Sequence, residues 1–393
     1  MKLGLENIRK LLDALGDPQK DYLKVQVAGT NGKGSVCAFL NSICLNAGIK
    51  TGMYTSPHLV SIVERVKVDG DDISEDEFAT YATRVRDTSE KLVAAGEIEN
   101  IPTFFEQVTA IALLVFAEAK VELAILETGL GGRLDATTAA NAEIAAITRI
   151  DLDHQQYLGE TIEEIAAEKA AIIHDGSRVI VGEQSPEAME VILERCREVS
   201  LIPSLTPSLP VGFPPLGLAG RHQIENAAIA AGVAQILSGR FSITEKDVLN
   251  GLQEAHHPGR LERIDNFLLD GAHNGGGARA LRRYLDEYID RPITMIFGAM
   301  SEKDVGEIAS VLFSIADRLI LTTPDNLRAM SAEDLLQFVP DGFDADRIFV
   351  ASNSAAAIDK AREVSGKRDV ILVTGSLYLV GEVRSLLRDS GPS

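Results

Sequence analysis

Short apolar runs rich in Val and Ile alternate along this chain with longer stretches whose apolar residues recur at helical spacing. That is the pattern of an α/β protein built on a mainly parallel sheet. Strands are expected at 24–28, 121–127, 143–148 and 178–182, and helices at 104–119 and 161–173. The run 62–68, followed by Asp69-Gly70-Asp71, reads as a strand entering a tight hairpin turn. Five of the 14 prolines fall within 203–215, which excludes regular helix there. The segment His256-His257-Pro258-Gly259-Arg260 then separates a helix at 244–255 from a strand expected at 264–270. The domain boundary is placed here, giving 1–257 and 258–393. Beyond it, strands near 293–298, 318–322, 347–350 and 369–374 alternate with helices, as in a small Rossmann-like domain.

A length of 393 residues suits two such domains, and 45% hydrophobic with 24% charged residues excludes wholesale disorder and fibrous folds. The 38 Lys and Arg against 58 Asp and Glu leave a net charge of −20, which works against binding nucleic acid or an anionic membrane. An anionic small substrate would need local cations to overcome that field. Cys37, Cys44 and Cys196 form no CxxC pair, so a disulfide framework is not expected and a reducing cytoplasm is. Cys37 and Cys44, seven apart in a predicted helix, read as core residues. The first 15 residues carry charges throughout and lack a signal-peptide apolar run, and no stretch reaches the roughly 18 apolar residues of a membrane span.

The strongest chemical signal is Gly29-Thr30-Asn31-Gly32-Lys33-Gly34-Ser35, between a predicted strand and a predicted helix. Glycines there let backbone N–H groups converge on phosphate oxygens at a positive helix end. The Lys33 ammonium neutralises charge, and the Ser35 hydroxyl can ligate Mg²⁺. Gly34 stands between the lysine and the serine, so the segment departs from the common G-x-x-x-x-G-K-[ST] form. Glu127 ends a buried-looking strand, where a carboxylate is costly unless it meets a cation, a hydrogen-bond donor, or Arg133 or Arg149. His154 follows the next strand; it can join Glu127 at the carboxyl edge of the sheet or cap a helix.

Lys169 lies among glutamates and by itself reads as a solvated partner of Glu168 or Glu164. Thr103-Phe104-Phe105-Glu106 offers aromatic faces and a carboxylate, and Arg133-Leu134-Asp135 a cation beside an acceptor. A flat polar heterocycle with an anionic tail would suit them, although Phe104 and Phe105 by themselves read as core. Gly271 to Gly277 lacks G-x-G-x-x-G spacing and is not read as a dinucleotide site.

The G-T-N-G-K-G-S spacing resembles the ATP loop of the Mur-type amide ligases, specifically the folylpolyglutamate synthase/dihydrofolate synthase family. Other segments agree in order along the chain: Ser56-Pro57-His58-Leu59, Thr103-Phe104-Phe105-Glu106, Glu127 to Thr137, Asp153-His154, Glu168-Lys169-Ala170, His222-Gln223 with Asn226-Ala227, Pro258 to Glu262, Leu269 to Asn274, and Gly375-Ser376-Leu377-Tyr378. The resemblance implies a P-loop ATPase domain over 1–257 and a Rossmann-like glutamate ligase domain over 258–393. The implied reaction is ATP-dependent addition of L-glutamate to dihydropteroate or to the γ-carboxylate of a folate, through an acyl phosphate.

The same resemblance implies ATP, two Mg²⁺ ions and a monovalent cation, with Ser35, Ser56, Glu127 and His154 as metal ligands. Lys33, Lys169 and His154 take the catalytic roles, Lys169 as a carbamate. Asn226, Arg260 and Asp270 join the loop in holding ATP, Asp270 at the ribose, and these three straddle the expected boundary. Leu3, Gly4, Leu5, Thr103 to Glu106 and Arg133 to Asp135 contact the pterin or folate. The chain opens almost on the first of these motifs, with Lys2 where the bacterial bifunctional pattern often has Asp and without the two dozen or so residues that relatives usually carry before it. Either the given start is late or this member is shortened, and the two differ in how the pterin end is covered. A monomer that binds small molecules, and neither nucleic acid nor membrane, completes the expectation.

Three other readings stand beside it. A Mur-type ligase acting on a cell-wall or other amino-acid precursor shares the loop but has no reason for Thr-Phe-Phe-Glu. A P-loop kinase or GTPase would share the loop alone, and no N-K-x-D guanine motif is present. A non-catalytic nucleotide- or folate-binding protein is the third.

Overall fold

The computed structural model describes residues 4–207, 209, 213 and 215–389; the expected substrate residue Leu3 lies outside them. The chain divides into two compact units, one of residues 1–217 with 223–256 and one of residues 218–222 with 257–393.

The first unit is built on β1 (Leu23–Ala28), β2 (Thr51–Tyr54), β3 (Val66–Val68), β4 (Asp71–Asp72), β5 (Leu123–Glu127), β6 (Ile144–Ile147), β7 (Arg178–Val181) and β8 (Ser204–Leu205). Their order is β4-β3-β2-β5-β1-β6-β7-β8. All pairings from β2 to β8 are parallel, and only β2, β3 and β4 meet antiparallel. The parallel strands are apolar nearly throughout because helices cover both faces. Helix Lys33–Asn46 shows why: Val36, Phe39, Leu40 and Ile43 leave it almost no polar face, and helix Glu245–Glu254 covers it. Gly251 of that second helix lies so close to the Ile43 backbone that a side chain would collide.

The expected strand 62–68 is corrected in its first half. Ile62–Arg65 is a turn of 3₁₀ helix, because Ser61 and Glu64 form a capping box and the Glu64 carboxylate also accepts from Leu59 N and Val60 N at 2.8 and 3.1 Å. The β3–β4 hairpin then turns at Asp69 and Gly70, whose φ values of 54° and 94° fit the tight type that matches strand twist.

The second unit holds β9 (Glu262–Ile264), β10 (Phe267–Leu269), β11 (Ile293–Phe297), β12 (Arg318–Thr322), β13 (Ile348–Ala351) and β14 (Val370–Thr374) in the order β13-β12-β11-β14-β10-β9. All pairs are parallel except β9 with β10. The single strand expected over 264–270 is therefore the second arm of a hairpin, turned at Asp265 with φ 53°. Two mostly parallel sheets make this an α/β protein, as expected. Among the described residues no helix is long and apolar enough to cross a membrane.

Candidate active site

In the first sheet β1 lies between β5 and β6, so the loops leaving the carboxyl ends of these three strands share one crevice, where open α/β sheets bind ligands. From β1 comes Gly29 to Ser35. Gly29 has φ 153° and Gly32 φ 91°; a Cβ at the first would strike the Thr148 hydroxyl, and at the second the Asn226 amide. Both are positions only glycine fills without strain.

The loop is tied to the β6 side. Thr30 N donates to Arg149 O at 2.9 Å, Thr30 Oγ1 to Asp151 O at 2.9 Å, and Thr148 Oγ1 to Asn31 O at 2.8 Å. Lys33 begins the helix, and its Nζ reaches back to the carbonyls of Gly29 and Thr30 at 3.1 and 3.2 Å. Gly34 and Ser35 are buried beneath it. Gln223 Nε2 donates to Ser35 Oγ at 3.2 Å, and Asn226 Nδ2 donates to Gln223 Oε1 at 2.9 Å, so a buried amide pair on helix His222–Leu237 steadies the loop from behind.

Lys169 is not the solvated residue its glutamate neighbours suggest. It is 4% exposed, and its Nζ donates to Gly29 O at 2.8 Å. The glutamates serve elsewhere: Glu168 pairs with Arg133 at 2.8 Å, and Glu164 caps its own helix with Thr161. Burial, then the neighbouring Lys33 charge, brings the Lys169 amine down to about 7.

Glu127 is buried at the end of β5, and its Oε2 accepts from Ser56 N at 3.0 Å. Of the two arginines considered for it, Arg133 is held by Glu168 and Arg149 lies 3.8 Å from Asp151. His154 adopts φ 52° ahead of helix Gln155–Leu158, and its backbone N–H donates to Asp153 Oδ1 at 2.8 Å. Among the described residues no three His, Cys, Asp or Glu side chains form a metal-binding group. Carboxylate and hydroxyl oxygens at Glu127, Ser56 and Ser35 are nevertheless the hard donors a divalent cation of the Mg²⁺ type takes.

The expected pterin residues divide by role. Thr103 and Glu106 form a capping box, with Thr103 N and Oγ1 donating to Glu106 Oε2 at 2.7 and 2.8 Å, so both serve helix Phe104–Glu118. Phe105 packs on the core and on Gly129, and lies 6.0 Å from Tyr54 ring to ring. Phe104 is 58% exposed and is not core. Asp135 is buried and accepts from Gly129 N, Leu130 N, Thr137 N and Thr137 Oγ1 at 2.8, 2.9, 3.0 and 2.5 Å. Its oxygens hold its own loop, and burial pushes its carboxyl above the usual carboxylate range. Leu134 is half-buried, Leu5 belongs to the core, and Gly4 has open space beside it.

In the second unit the buried Asp270 accepts from Leu261 N and Ala272 N, both at 3.0 Å, beside Arg260. Burial pushes its carboxyl up. His273 Nδ1 lies 2.8 Å from Gly271 O.

Sequence reasoning named Gln223 only within a motif and did not name Thr148 as a loop partner. The signal for Gln223 is its spacing of three from Asn226 on one helix, and for Thr148 its place at a strand's carboxyl end.

A P-loop at a β-sheet switch point followed by a second, smaller and mostly parallel sheet goes here with the domains of a Mur-type ligase. Residues 27–200 match the Mur ligase middle domain, and residues 259–377 the Mur ligase glutamate ligase domain. The dihydrofolate synthase/folylpolyglutamate synthase of Bacillus subtilis is 34% identical over 99% of this chain and 96% of its own length. A probable bifunctional folylpolyglutamate synthase/dihydropteroate synthase of Haloferax volcanii is 33% identical over 98% of this chain, which spans 48% of that relative. The chain thus covers about half the length of some curated relatives it matches.

Among solved structures, Mycobacterium tuberculosis folylpolyglutamate synthase complexed with ADP and AMPPCP superposes with a TM-score of 0.91 at 31% identity, covering 100% of this chain and 96% of that one. The bifunctional enzyme of Yersinia pestis complexed with AMPPNP and Mn gives 0.87 at 29%, covering 99% and 94%. This chain belongs to the folylpolyglutamate synthase/dihydrofolate synthase family of ATP-dependent ligases.

Proposed function

We propose that this chain joins L-glutamate, at the expense of ATP, to the carboxylate of a pteroate or folate. The observation that carries the reading is the convergence of Lys33 and Lys169 on the Gly29 carbonyl, inside a loop of the β1–β5–β6 crevice. In the proposed reaction an acceptor carboxylate oxygen attacks the γ-phosphorus of ATP; the bond to the β-phosphate oxygen breaks, leaving ADP and an acyl phosphate. The glutamate amine then attacks the acyl carbon, the carbon–oxygen bond to phosphate breaks, and the amide nitrogen gives up a proton.

No side-chain nucleophile is required, so the protein's work is charge neutralisation and positioning. Lys33 and the loop N–H groups hold the phosphates, and Asn226 lies against the loop at Gly32. A divalent cation held by Ser35, Ser56, Glu127 and His154 supplies further positive charge at the phosphoryl oxygens when bound. Lys169, largely neutral above pH 7, has the free amine that carbamylation by CO₂ needs. Phe104, Phe105 and the Arg133 side chain border the acceptor, and Asp135 shapes that wall through its loop.

The proposal includes the assignment of 1–257 to ATP and of 258–393 to glutamate, and a monomer in a reducing cytoplasm, in keeping with three free, buried cysteines. Mass spectrometry of dihydropteroate or tetrahydrofolate incubated with the protein, ATP, Mg²⁺ and glutamate tests it. A gain of one glutamyl residue is expected; an unmodified acceptor with ATP consumed would overturn it.

A further inference from the structure

The family motifs leave one buried cation without a task. Arg65 ends the 3₁₀ turn before β3 and is 8% exposed. A buried guanidinium ordinarily faces a carboxylate, because an uncompensated charge is costly out of water. Here its Nε donates instead to the Nδ1 of His58 at 2.9 Å, and it makes no ion pair among the described residues. A guanidinium N–H can only donate, so the Nδ1 of His58 is the acceptor of this bond.

Tyr54, whose hydroxyl accepts from Thr109 Oγ1 at 3.3 Å, lies against the guanidinium. Asp135, the carboxylate acting on Tyr54, has its oxygens spent on its own loop. Phe104, more than half exposed, lies over Arg65, with the ring centroid 5.5 Å from the guanidinium carbon.

The backbone sets where such a ligand would be. Arg65 O accepts from Thr55 N at 3.1 Å, and the next residue, Ser56, donates its N–H to the Glu127 carboxylate. The Arg65 backbone therefore stands one residue from the Ser56–Glu127 contact at the end of β5, where the ligase reading puts the cation and the phosphoryl group. Dihydropteroate has one carboxylate, which is the one consumed. A folate carries a glutamyl group with two, and only the γ-carboxylate reacts.

We propose that Arg65, presented by His58 and covered by Phe104, binds the non-reacting carboxylate of a glutamyl-bearing acceptor and so sets the preference between folate and pteroate. This rests on the ligase reading above. Calorimetric titration of the nucleotide-loaded protein with tetrahydrofolate and with dihydropteroate tests it, in wild type, Arg65→Gln, Arg65→Lys and His58→Ala. The ratio of tetrahydrofolate to dihydropteroate affinity is expected to fall about tenfold or more in Arg65→Gln, as expected for loss of a charge-assisted pair, and less in Arg65→Lys and His58→Ala.

Equal losses for both acceptors, or an unchanged ratio in all three variants, would overturn the assignment while leaving the ligase reading in place. Wild-type protein that binds ATP but neither acceptor would overturn both. If Arg65→Gln does not fold, the ratios in Arg65→Lys and His58→Ala decide.

Discussion

Lys33 and Lys169 donate to one acceptor, the Gly29 carbonyl, at 3.1 and 2.8 Å. Two ammonium groups on one oxygen repel, and Lys169 is the buried partner, so it yields its proton first and falls to about 7.

That shift makes stability depend on pH. Lys169 is lowered from 10.5 to about 7 on folding, so between those values the unfolded chain binds more protons than the native one. Stability therefore rises with pH across this window, and below it the cost of the buried charge is felt in full. Urea unfolding of wild type and Lys169→Met at pH 7 and pH 9.5 checks this. The wild type is expected to gain roughly 2–4 kcal/mol relative to the variant on going to the higher pH, at about 1.4 kcal/mol per unit. A constant difference would contradict the buried, neutral lysine.

For the proposed carbamate, Lys169→Ala is expected to lose ligation and to regain part of it with added short carboxylic acids, which replace the missing anion. Full activity in the unsupplemented variant would remove Lys169 from the reaction.

Gly32→Ala tests the loop. With φ at 91° and the Asn226 amide where the new Cβ would go, the substitution is expected to cost about 1–3 kcal/mol of stability or to distort the loop. ATP affinity measured by calorimetry should fall with it. Gly48→Ala, also at positive φ but in open space, should leave ATP affinity as it is.

Glu127→Gln keeps the shape of the β5 end and removes its charge. The concentration of Mg²⁺ needed for half-maximal turnover is expected to rise about tenfold or more. An unaltered Mg²⁺ dependence would show that the Glu127 charge has no part in holding the cation.

The strands around the loop are legible in sequence because burial on both faces leaves them as unbroken apolar runs, as at Leu123–Glu127. Ile62–Arg65 is not, because Ile62-Val63 suits a strand while the Ser61–Glu64 capping box, a local hydrogen-bond choice, wins. Within the site, motif spacing finds residues that must be glycine or must carry charge, such as Gly32 and Lys33. It does not distinguish Lys169 from a surface lysine, since its burial arises from long-range packing against Gly29, 140 positions away. Nor does it show that Asp135 and Glu106 are spent on their own loop and helix cap, or that Arg65 lies among Tyr54, His58 and Phe104.

The most direct test of the central claim is ADP release by the purified protein with ATP, Mg²⁺ and glutamate, comparing dihydropteroate, tetrahydrofolate and no acceptor, with Lys33→Ala alongside. Release is expected to require both glutamate and an acceptor, and to fall about 100-fold or more in Lys33→Ala while its thermal unfolding stays close to wild type. Release that is indifferent to acceptor and glutamate, or undiminished in Lys33→Ala, would contradict the account.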